Sequence, residues 1–154
     1  MMARREIHRE YLALATGIVP EDGIITAPIA RKEGSTIERM VDFKHGEYAC
    51  THYRRISITN TDPVYSLVAL KLDTGRTHQI RVHMKALGHP LLGDNLYQNI
   101  CSSDFSLGQP DFKRTALHAW KTKFRHPFNN AWISLEAPLP DDFCNCFQNI
   151  DFSL

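Results

Sequence analysis

The sequence lacks several features that would each assign a chain to a class of proteins. It has no run of about 18 apolar residues, and its first residues lack the apolar core of a secretory signal, so neither a membrane span nor export is predicted. None of its four cysteines stands in a Cys-x-x-Cys pair, so free thiols are expected. It has no internal repeat. We therefore expect one cytoplasmic domain over residues 1–154.

An excess of one charge is also missing. The 18 Lys and Arg residues and 17 Asp and Glu residues leave a formal net charge of +1. A field this weak does not attract a polyanion to the whole molecule, so any nucleic-acid surface has to be local. Local basic clusters do exist, and the alternative for any one of them is a solvated strand or helix face. They are Arg4, Arg5, His8 and Arg9, then Arg54 with Arg55, the group Arg76, Arg81 and Lys85, and the series Lys113, Arg114, Lys121, Lys123 and Arg125.

Most of the chain has the residue pattern of β-strands. Aromatic and β-branched content predicts strands at 11–19, 47–59, 65–72, 116–125 and 131–136, with a turn at 60–63 that makes a hairpin of the second and third. Residues 24–31 are interrupted by Pro28, which predicts an edge strand or an extended loop. Residues 102–113 are predicted to be an exposed loop, and a short helix is predicted around Phe143 and Phe147.

After Gly75 the apolar period becomes helical. The spacing predicts a helix that ends at Gly88, with Thr77 as its N-cap. Arg81 and Lys85 fall outside its apolar stripe, which is formed by Ile80, His83, Met84 and Leu87. This arrangement separates core side chains from side chains that can face solvent or a cleft.

Residues 72–94 contain the densest motif, Leu-Asp-Thr-Gly-Arg-Thr-His-Gln-Ile-Arg-Val-His-Met-Lys-Ala-Leu-Gly-His-Pro-Leu-Leu-Gly-Asp. This stretch closely resembles the third signature motif of the RluA-type pseudouridine synthases. Residues 9–13, Arg-Glu-Tyr-Leu-Ala, resemble that family's second motif. The resemblance continues, in the family's order, through Gly88-His89-Pro90, Gly93-Asp94, Tyr97, Leu117-His118-Ala119, His126-Pro127 and Ala137-Pro138-x-Pro140, although Gln98 stands where the family has glycine.

This resemblance implies both a fold and a reaction. The fold would be α+β, part of the pseudouridine synthase fold, with a mixed, mainly antiparallel sheet and a few helices packed beside it. The reaction would be the isomerisation of uridine to pseudouridine in rRNA or tRNA, which needs no cofactor or metal. In the family an aspartate acts as nucleophile toward the target nucleoside.

The family's aspartate motif, His-Arg-Leu-Asp-x-x-Thr-Ser-Gly, has no counterpart in the 154 residues. The resemblance therefore predicts a partial catalytic domain that is inactive alone and needs an amino-terminal segment in cis or in trans. The alternatives are a non-catalytic RNA-binding module or decayed fragment, and a histidine-based hydrolase.

The matched motifs imply roles for two residues in particular. Arg81 matches the arginine that pairs with the catalytic aspartate, a task that suits a permanently charged, forked donor. Its alternative is a surface cation, and Arg81→Ala is expected to leave folding largely intact. Tyr11 matches the tyrosine that lies against the target uracil, where a flat ring can stack; its alternative is a core tyrosine.

Five further residues are predicted to contact RNA, among them Arg76, for which a structural role is the alternative. They are Arg9, Arg76, His78, Gln79 and Lys85. Structural hydrogen bonding is expected of His78, Gln79 and His83 in preference to proton transfer. A zinc site at His78, His83 and His89 is not predicted, because helical ligand pairs usually sit four residues apart and these first two sit five apart.

Overall fold

The computed structural model describes residues 7–98 and 112–146. Within these ranges the fold is α+β, as predicted, and every strand pairing in the main sheet is antiparallel. The strands are β1 (Ile7–Thr16), β2 (Asp22–Thr26), β3 (Ile29–Arg31), β4 (Arg39–Val41), β5 (Cys50–Ile58), β6 (Tyr65–Leu72), β7 (Leu117–Arg125) and β8 (Trp132–Glu136), and the helices are α1 (Gln79–Ala86) and α2 (Asp141–Cys146).

Six strands form the main sheet, in the order β2-β5-β6-β1-β7-β8, and β3 pairs with β4 in a separate hairpin. The predicted β5–β6 hairpin is confirmed, with Thr51 opposite Leu72. The predicted edge segment is also confirmed. It divides at Pro28 into β2, at the sheet edge, and β3, because proline cannot donate a ladder hydrogen bond.

Strand β1 lies in the middle of the sheet and buries both of its faces. Leu12 and Leu14 pack on one face with Trp120 and with Phe143 of α2. Ala13 and Ala15 lie on the opposite face, in a cluster that contains the α1 residues Ile80 and Met84. The small alanine side chains leave room for the helix to lie directly on the sheet, with its remaining face turned away from this cluster.

The start of α1 differs from the prediction. Thr77 is not the N-cap; His78 holds that position in a left-handed conformation with φ of 57°, and its side chain makes no capping hydrogen bond. The helix ends before Gly88, as predicted. The left-handed turn at His78 changes the chain direction immediately before the helix, which sets where the first side chains of α1 point.

Several other predictions were confirmed, and some lie outside the described residues. Strands β7 and β8 occur where they were expected, and α2 contains Phe143. Phe147 and nearly all of the loop predicted at 102–113 lie outside the described ranges, as does Cys101. Cys50, Cys144 and Cys146 are free thiols, as expected. In the part of the chain that is described, neither helix has the length and apolar content needed to span a membrane.

Candidate functional site

A cavity of about 580 Å³ opens at the amino-terminal end of α1, and we call it the arginine cavity. His78 and Arg81 line it from the start of the helix, Arg39 from β4, and Arg114 from the segment before β7. None of the described lining residues is acidic. Three guanidinium groups line this concave surface, but Arg81 is paired with Asp94 and Arg114 with Asp142, so Arg39 contributes most of the attraction for an anionic ligand.

Arg81 is held by a buried carboxylate of the same chain. Its Nε and Nη2 each donate a hydrogen bond of 2.7 Å to Asp94, whose side chain is 0 % exposed, whereas that of Arg81 is 20 % exposed. Asp94 also accepts hydrogen bonds from the backbone N–H groups of Leu96 and Tyr97, both at 3.2 Å. The hydrogen bonds with Asp94 raise the pKa of Arg81. Among the described residues Arg81 therefore has a carboxylate partner, Asp94, for which no role was predicted from the sequence, and the pairing of Arg81 with a catalytic aspartate stays a prediction.

Tyr97 contacts three residues that line the arginine cavity, Arg39, His78 and Arg81. Its hydroxyl accepts a hydrogen bond from the backbone N–H of Arg39 at 2.9 Å and lies 2.8 Å from Nδ1 of His78. The Arg81 guanidinium lies 4.8 Å from the centre of the Tyr97 ring. Burial, then the charges of Arg81 and Arg39, lower the pKa of His78. A neutral His78 can accept the Tyr97 proton on Nδ1, which leaves its Nε2–H as a donor.

The side chain of Gln79 is buried and forms hydrogen bonds within the protein. It is 2 % exposed, donates to the carbonyl of Cys50 and to Oγ1 of Thr51, and accepts from Thr74 Oγ1 and from the backbone N–H of Arg76. All its hydrogen-bonding groups are thus occupied where RNA cannot reach. The predicted RNA contact of Gln79 is therefore corrected to a structural role, tying α1 to β5.

His83 continues this structural network. Its Nδ1 lies 2.8 Å from Oγ1 of Thr51 and its Nε2 lies 2.8 Å from the carbonyl of Ala27. A carbonyl only accepts, so Nε2 carries the proton and Nδ1 accepts from Thr51. Burial lowers the pKa of His83, which favours this neutral form. The expected structural role of His83 agrees with these contacts.

The other predicted site residues are spread over the surface. Arg76 pairs with Glu47 at 2.6 Å and lines a neighbouring cavity of about 420 Å³. Lys85 lines a third cavity with Tyr97. Arg9 is exposed on β1, and Tyr11 packs beside the cluster under α1, so neither is among the described residues that line the arginine cavity.

Arg39, Asp94 and Tyr97 were not predicted as site residues. For Asp94 and Tyr97 a signal existed, because both stand in the resemblance after the helix, but nothing in their spacing showed which side chain they would meet. Arg39 carried no sequence signal, since it lies on a three-residue strand. Its backbone N–H donates a hydrogen bond to Tyr97, which helps to hold β4 beside the cavity.

The three histidines weighed as zinc ligands do not form a cluster in the structure. His83 bonds Thr51 and Ala27, and His89 lies 2.8 Å from the carbonyl of Thr16. Within the described ranges, one group of side chains could hold a metal, and it lies elsewhere, at Cys50, His52 and Asp73.

Comparisons with known proteins agree with the resemblance. The sequence pattern described as RNA pseudouridylate synthase matches residues 1–86. The chain is similar to the ribosomal large subunit pseudouridine synthase D of Haemophilus influenzae, 41% identical over 92% of this chain and 44% of the relative. It is also similar to the protein of that name from Nitrosomonas europaea, 39% identical over 97% of this chain and 42% of the relative.

Among solved structures, the fold is similar to Human RNA Pseudouridylate Synthase Domain Containing 1, with a TM-score of 0.73 and 28% sequence identity. That match covers 88% of this chain and 56% of the human one. The chain spans less than half the length of the two bacterial relatives. The family pattern covers more than half of the 154 residues, so the chain belongs to the RNA pseudouridylate synthase family.

Proposed function

We propose that this chain acts in the isomerisation of uridine to pseudouridine in ribosomal RNA, in the cytoplasm, and that it contributes the arginine cavity to the catalytic site. The observation that carries the proposal is the cavity itself, which three arginines line beside the start of α1 and which no described acidic residue lines. The names of the bacterial relatives favour ribosomal RNA over tRNA as the substrate.

The geometry of Arg81 supports a role opposite a second carboxylate. Asp94 occupies Nε and Nη2, and among the described residues Nη1 has no hydrogen-bond partner. An aspartate supplied by another segment can approach this third nitrogen. Asp94 alone already balances the charge of Arg81. A second carboxylate beside Nη1 would therefore also need the nearby positive charge of Arg39 to stay ionised.

Tyr11 remains the residue proposed to lie against the uracil ring. Its position supports this in one respect, because it lies on the face of the sheet that α1 covers and is only partly buried. Arg9, Arg76, His78 and Lys85 remain proposed RNA contacts. Arg76 would have to give up or share its ion pair with Glu47 to bind a phosphate, and an exposed pair of this kind is weak.

The test is to join this chain to the part of the Haemophilus influenzae relative that it does not match and to supply large-subunit rRNA tritiated at uracil C5. Pseudouridine formation attaches C5 to the ribose and releases the tritium. We expect release by the joined protein and none by the chain alone. Failure of the joined, folded protein to release tritium would contradict the proposal.

Variants of the joined protein locate the activity. Arg81→Lys keeps the charge but loses the fork, so it should lose most of the tritium release. Arg54→Lys is the matched control, because Arg54 is an exposed arginine of β5 and is not among the described residues lining the arginine cavity. Equal activity of the two variants would contradict the proposal that the forked guanidinium of Arg81 is needed in the reaction.

A second candidate function is RNA binding without catalysis. It is favoured by a surface of β1, β7 and β8 that we call the basic aromatic face, made of His8, Lys123, Arg125 and Trp132. The Lys123 ammonium lies 5.0 Å and the Arg125 guanidinium 4.9 Å from the centre of the Trp132 ring, and the His8 ring lies 5.9 Å from it. Cations beside an exposed ring suit a single strand of RNA, whose phosphates and bases alternate.

A further inference from the structure

Three side chains with different metal-binding atoms meet at the start of the β5–β6 hairpin. The Cys50 thiol lies 3.4 Å from Oδ2 of Asp73 and 3.9 Å from Nε2 of His52, and His52 Nε2 lies 2.6 Å from the same Asp73 oxygen. Cys50 is buried, His52 is partly exposed and Asp73 is exposed. The cluster is therefore fixed on one side and open to solvent on the other.

The strand register brings these residues together. Cys50 and His52 are two apart on β5 and so point to the same face of the sheet. Thr51, between them, points to the opposite face, where it bonds Gln79 and His83 of α1. Asp73 directly follows β6, whose Leu72 is opposite Thr51. The cluster thus lies on the side of the hairpin away from α1.

Backbone hydrogen bonds hold the cluster in place before any ligand binds. The Asp73 N–H donates to the carbonyl of Cys50 at 3.2 Å, and the Cys50 N–H donates to Oγ1 of Thr74 at 3.0 Å. Gln79 donates a third hydrogen bond, to the same Cys50 carbonyl, at 3.0 Å. The main chain carrying Cys50 is therefore fixed relative to Asp73, so an ion would not have to order the loop.

The distances suit one tetrahedral ion of the size of zinc. Bond lengths of about 2.3 Å to sulfur and about 2.0–2.2 Å to nitrogen and oxygen place neighbouring tetrahedral ligands roughly 3.4–3.6 Å apart. The Cys50–Asp73 and Cys50–His52 separations are already close to this. His52 Nε2 and Asp73 Oδ2 are joined by a hydrogen bond of 2.6 Å. This distance has to increase by less than about 1 Å for both atoms to bind one ion, which requires only a small movement of the two side chains.

We propose that Cys50, His52 and Asp73 bind one Zn²⁺ ion, with water as the fourth ligand. A thiolate and an imidazole select a borderline metal such as zinc over Mg²⁺ or Ca²⁺, which take oxygen ligands. Three protein ligands with one open position is a frequent zinc arrangement. The ion would fasten the start of β5 to the loop that leads to Arg76 and α1, and it would stabilise the folded chain.

The test uses Co²⁺ as a spectroscopic substitute for Zn²⁺ in the full 154-residue chain. A cysteine ligand gives bound Co²⁺ a thiolate charge-transfer band in the near ultraviolet. We expect the band to saturate at one ion per chain and to be displaced by added Zn²⁺. We also expect Zn²⁺ to raise the midpoint of thermal unfolding, because an ion that binds only the folded state stabilises it.

Two variants remove a ligand, and one leaves the site intact. Cys50→Ser should abolish the band. Asp73→Asn changes an exposed side chain, so folding is preserved, and it should weaken Co²⁺ binding by at least about 10-fold. The control carries Cys144→Ser and Cys146→Ser together, which removes the Cys-x-Cys pair near the end of the chain, and it should keep the band.

Any of three results would overturn the proposal. They are the absence of a band in the wild-type chain, a band that Cys50→Ser leaves unchanged, and a band that disappears in the Cys144 and Cys146 control. Circular dichroism of each metal-free variant establishes that it is folded before Co²⁺ is added.

Discussion

Arg81 and Asp94 form a two-bonded ion pair in which the carboxylate is 0 % exposed and the guanidinium side chain is 20 % exposed. The two residues are 13 positions apart, so the pair joins α1 to the segment that follows it. A charge buried to this degree is tolerated only with a partner. The arginine proposed for catalysis therefore also has a structural role, and substitutions at this position affect both the proposed activity and the stability of the chain.

Arg81→Ala is predicted to destabilise the chain, in contrast to the expectation from sequence. The change leaves Asp94 buried and unpaired, which costs about 3–5 kcal/mol of the free energy of unfolding. Arg81→Lys should cost less, about 1.5–3 kcal/mol, because the charge remains and one charge-assisted hydrogen bond is lost. Urea unfolding measures both values.

A double variant provides the control for this pair. Replacing Arg81 and Asp94 together by alanine removes both charges, so its loss of stability should be smaller than the sum of the two single losses. Additive losses, or an Arg81→Ala chain as stable as the wild type, would show that the pair does not support the fold.

Gly93→Ala is predicted to be far more damaging than Gly34→Ala. Both glycines have a left-handed backbone, with φ of 70° and 76°, so each alanine costs roughly 1–2 kcal/mol in strain. At Gly34 the added Cβ meets open space, whereas at Gly93 it would overlap the carbonyl oxygen of Arg114. The loss at Gly93 should therefore be at least about twice that at Gly34.

Thermal or urea unfolding of the two alanine variants tests this difference. Because Gly93 precedes Asp94 and lines the arginine cavity, its variant should also lose RNA affinity, while Gly34→Ala keeps it. Similar stabilities of the two variants would mean that the segment at Arg114 moves aside without cost.

The stability of the chain is predicted to fall as the pH drops below about 6.5, the ordinary value for histidine. Burial lowers the pKa of His83 in the folded chain, and burial also lowers that of His78. The unfolded chain therefore takes up these protons at a higher pH than the folded chain does. Each proton contributes a slope of up to about 1.36 kcal/mol per pH unit.

Urea unfolding between about pH 7.5 and about pH 5.5 measures this slope. His83→Gln removes one titrating group, so the variant should be less stable at the higher pH but lose stability less steeply on acidification. Wild-type stability that is constant across this range would contradict the assignment of neutral, buried histidines.

The elements predicted best were those whose pattern is local. Strand β6 has the predicted limits, Tyr65–Leu72, since most of its residues are buried and a turn precedes it. Strand β1 begins at Ile7, earlier than predicted, because Ile7 pairs with Phe124 of β7 across the sheet. The β3–β4 hairpin has three-residue strands and depends on contacts with other segments, including the hydrogen bond of Tyr97 to Arg39.

The site residues show the same contrast between what a local pattern predicts and what depends on contacts between distant segments. The motif placed His78 and Arg81 at one helix end, and the structure puts both on one cavity. The carboxylate partner was expected from another segment, and no spacing rule could identify Asp94, because the turn between the two residues is set by the fold. The Cys50, His52 and Asp73 cluster was missed for a similar reason: it appears only when the hairpin register is known.

The basic aromatic face is predicted to bind single-stranded RNA through Trp132. This side chain is 44% exposed on the edge strand β8, and the cations of Lys123 and Arg125 lie beside its ring. A base stacked on an aromatic ring contributes about 1–3 kcal/mol, and each cation that neutralises a phosphate adds about one unit to the salt dependence of binding. Trp132→Ala should therefore weaken binding at every salt concentration, whereas Lys123→Gln should mainly reduce the salt dependence.

Fluorescence anisotropy with labelled single-stranded RNA, repeated over a series of salt concentrations, separates these two effects. Phe128→Ala is the matched control, because Phe128 is 92% exposed but lies in the turn between β7 and β8 with no cation over its ring among the described residues. Its affinity should equal that of the wild type. If Phe128→Ala weakens binding as much as Trp132→Ala does, exposure of an aromatic ring alone accounts for the affinity, and the cations around Trp132 have no part in it.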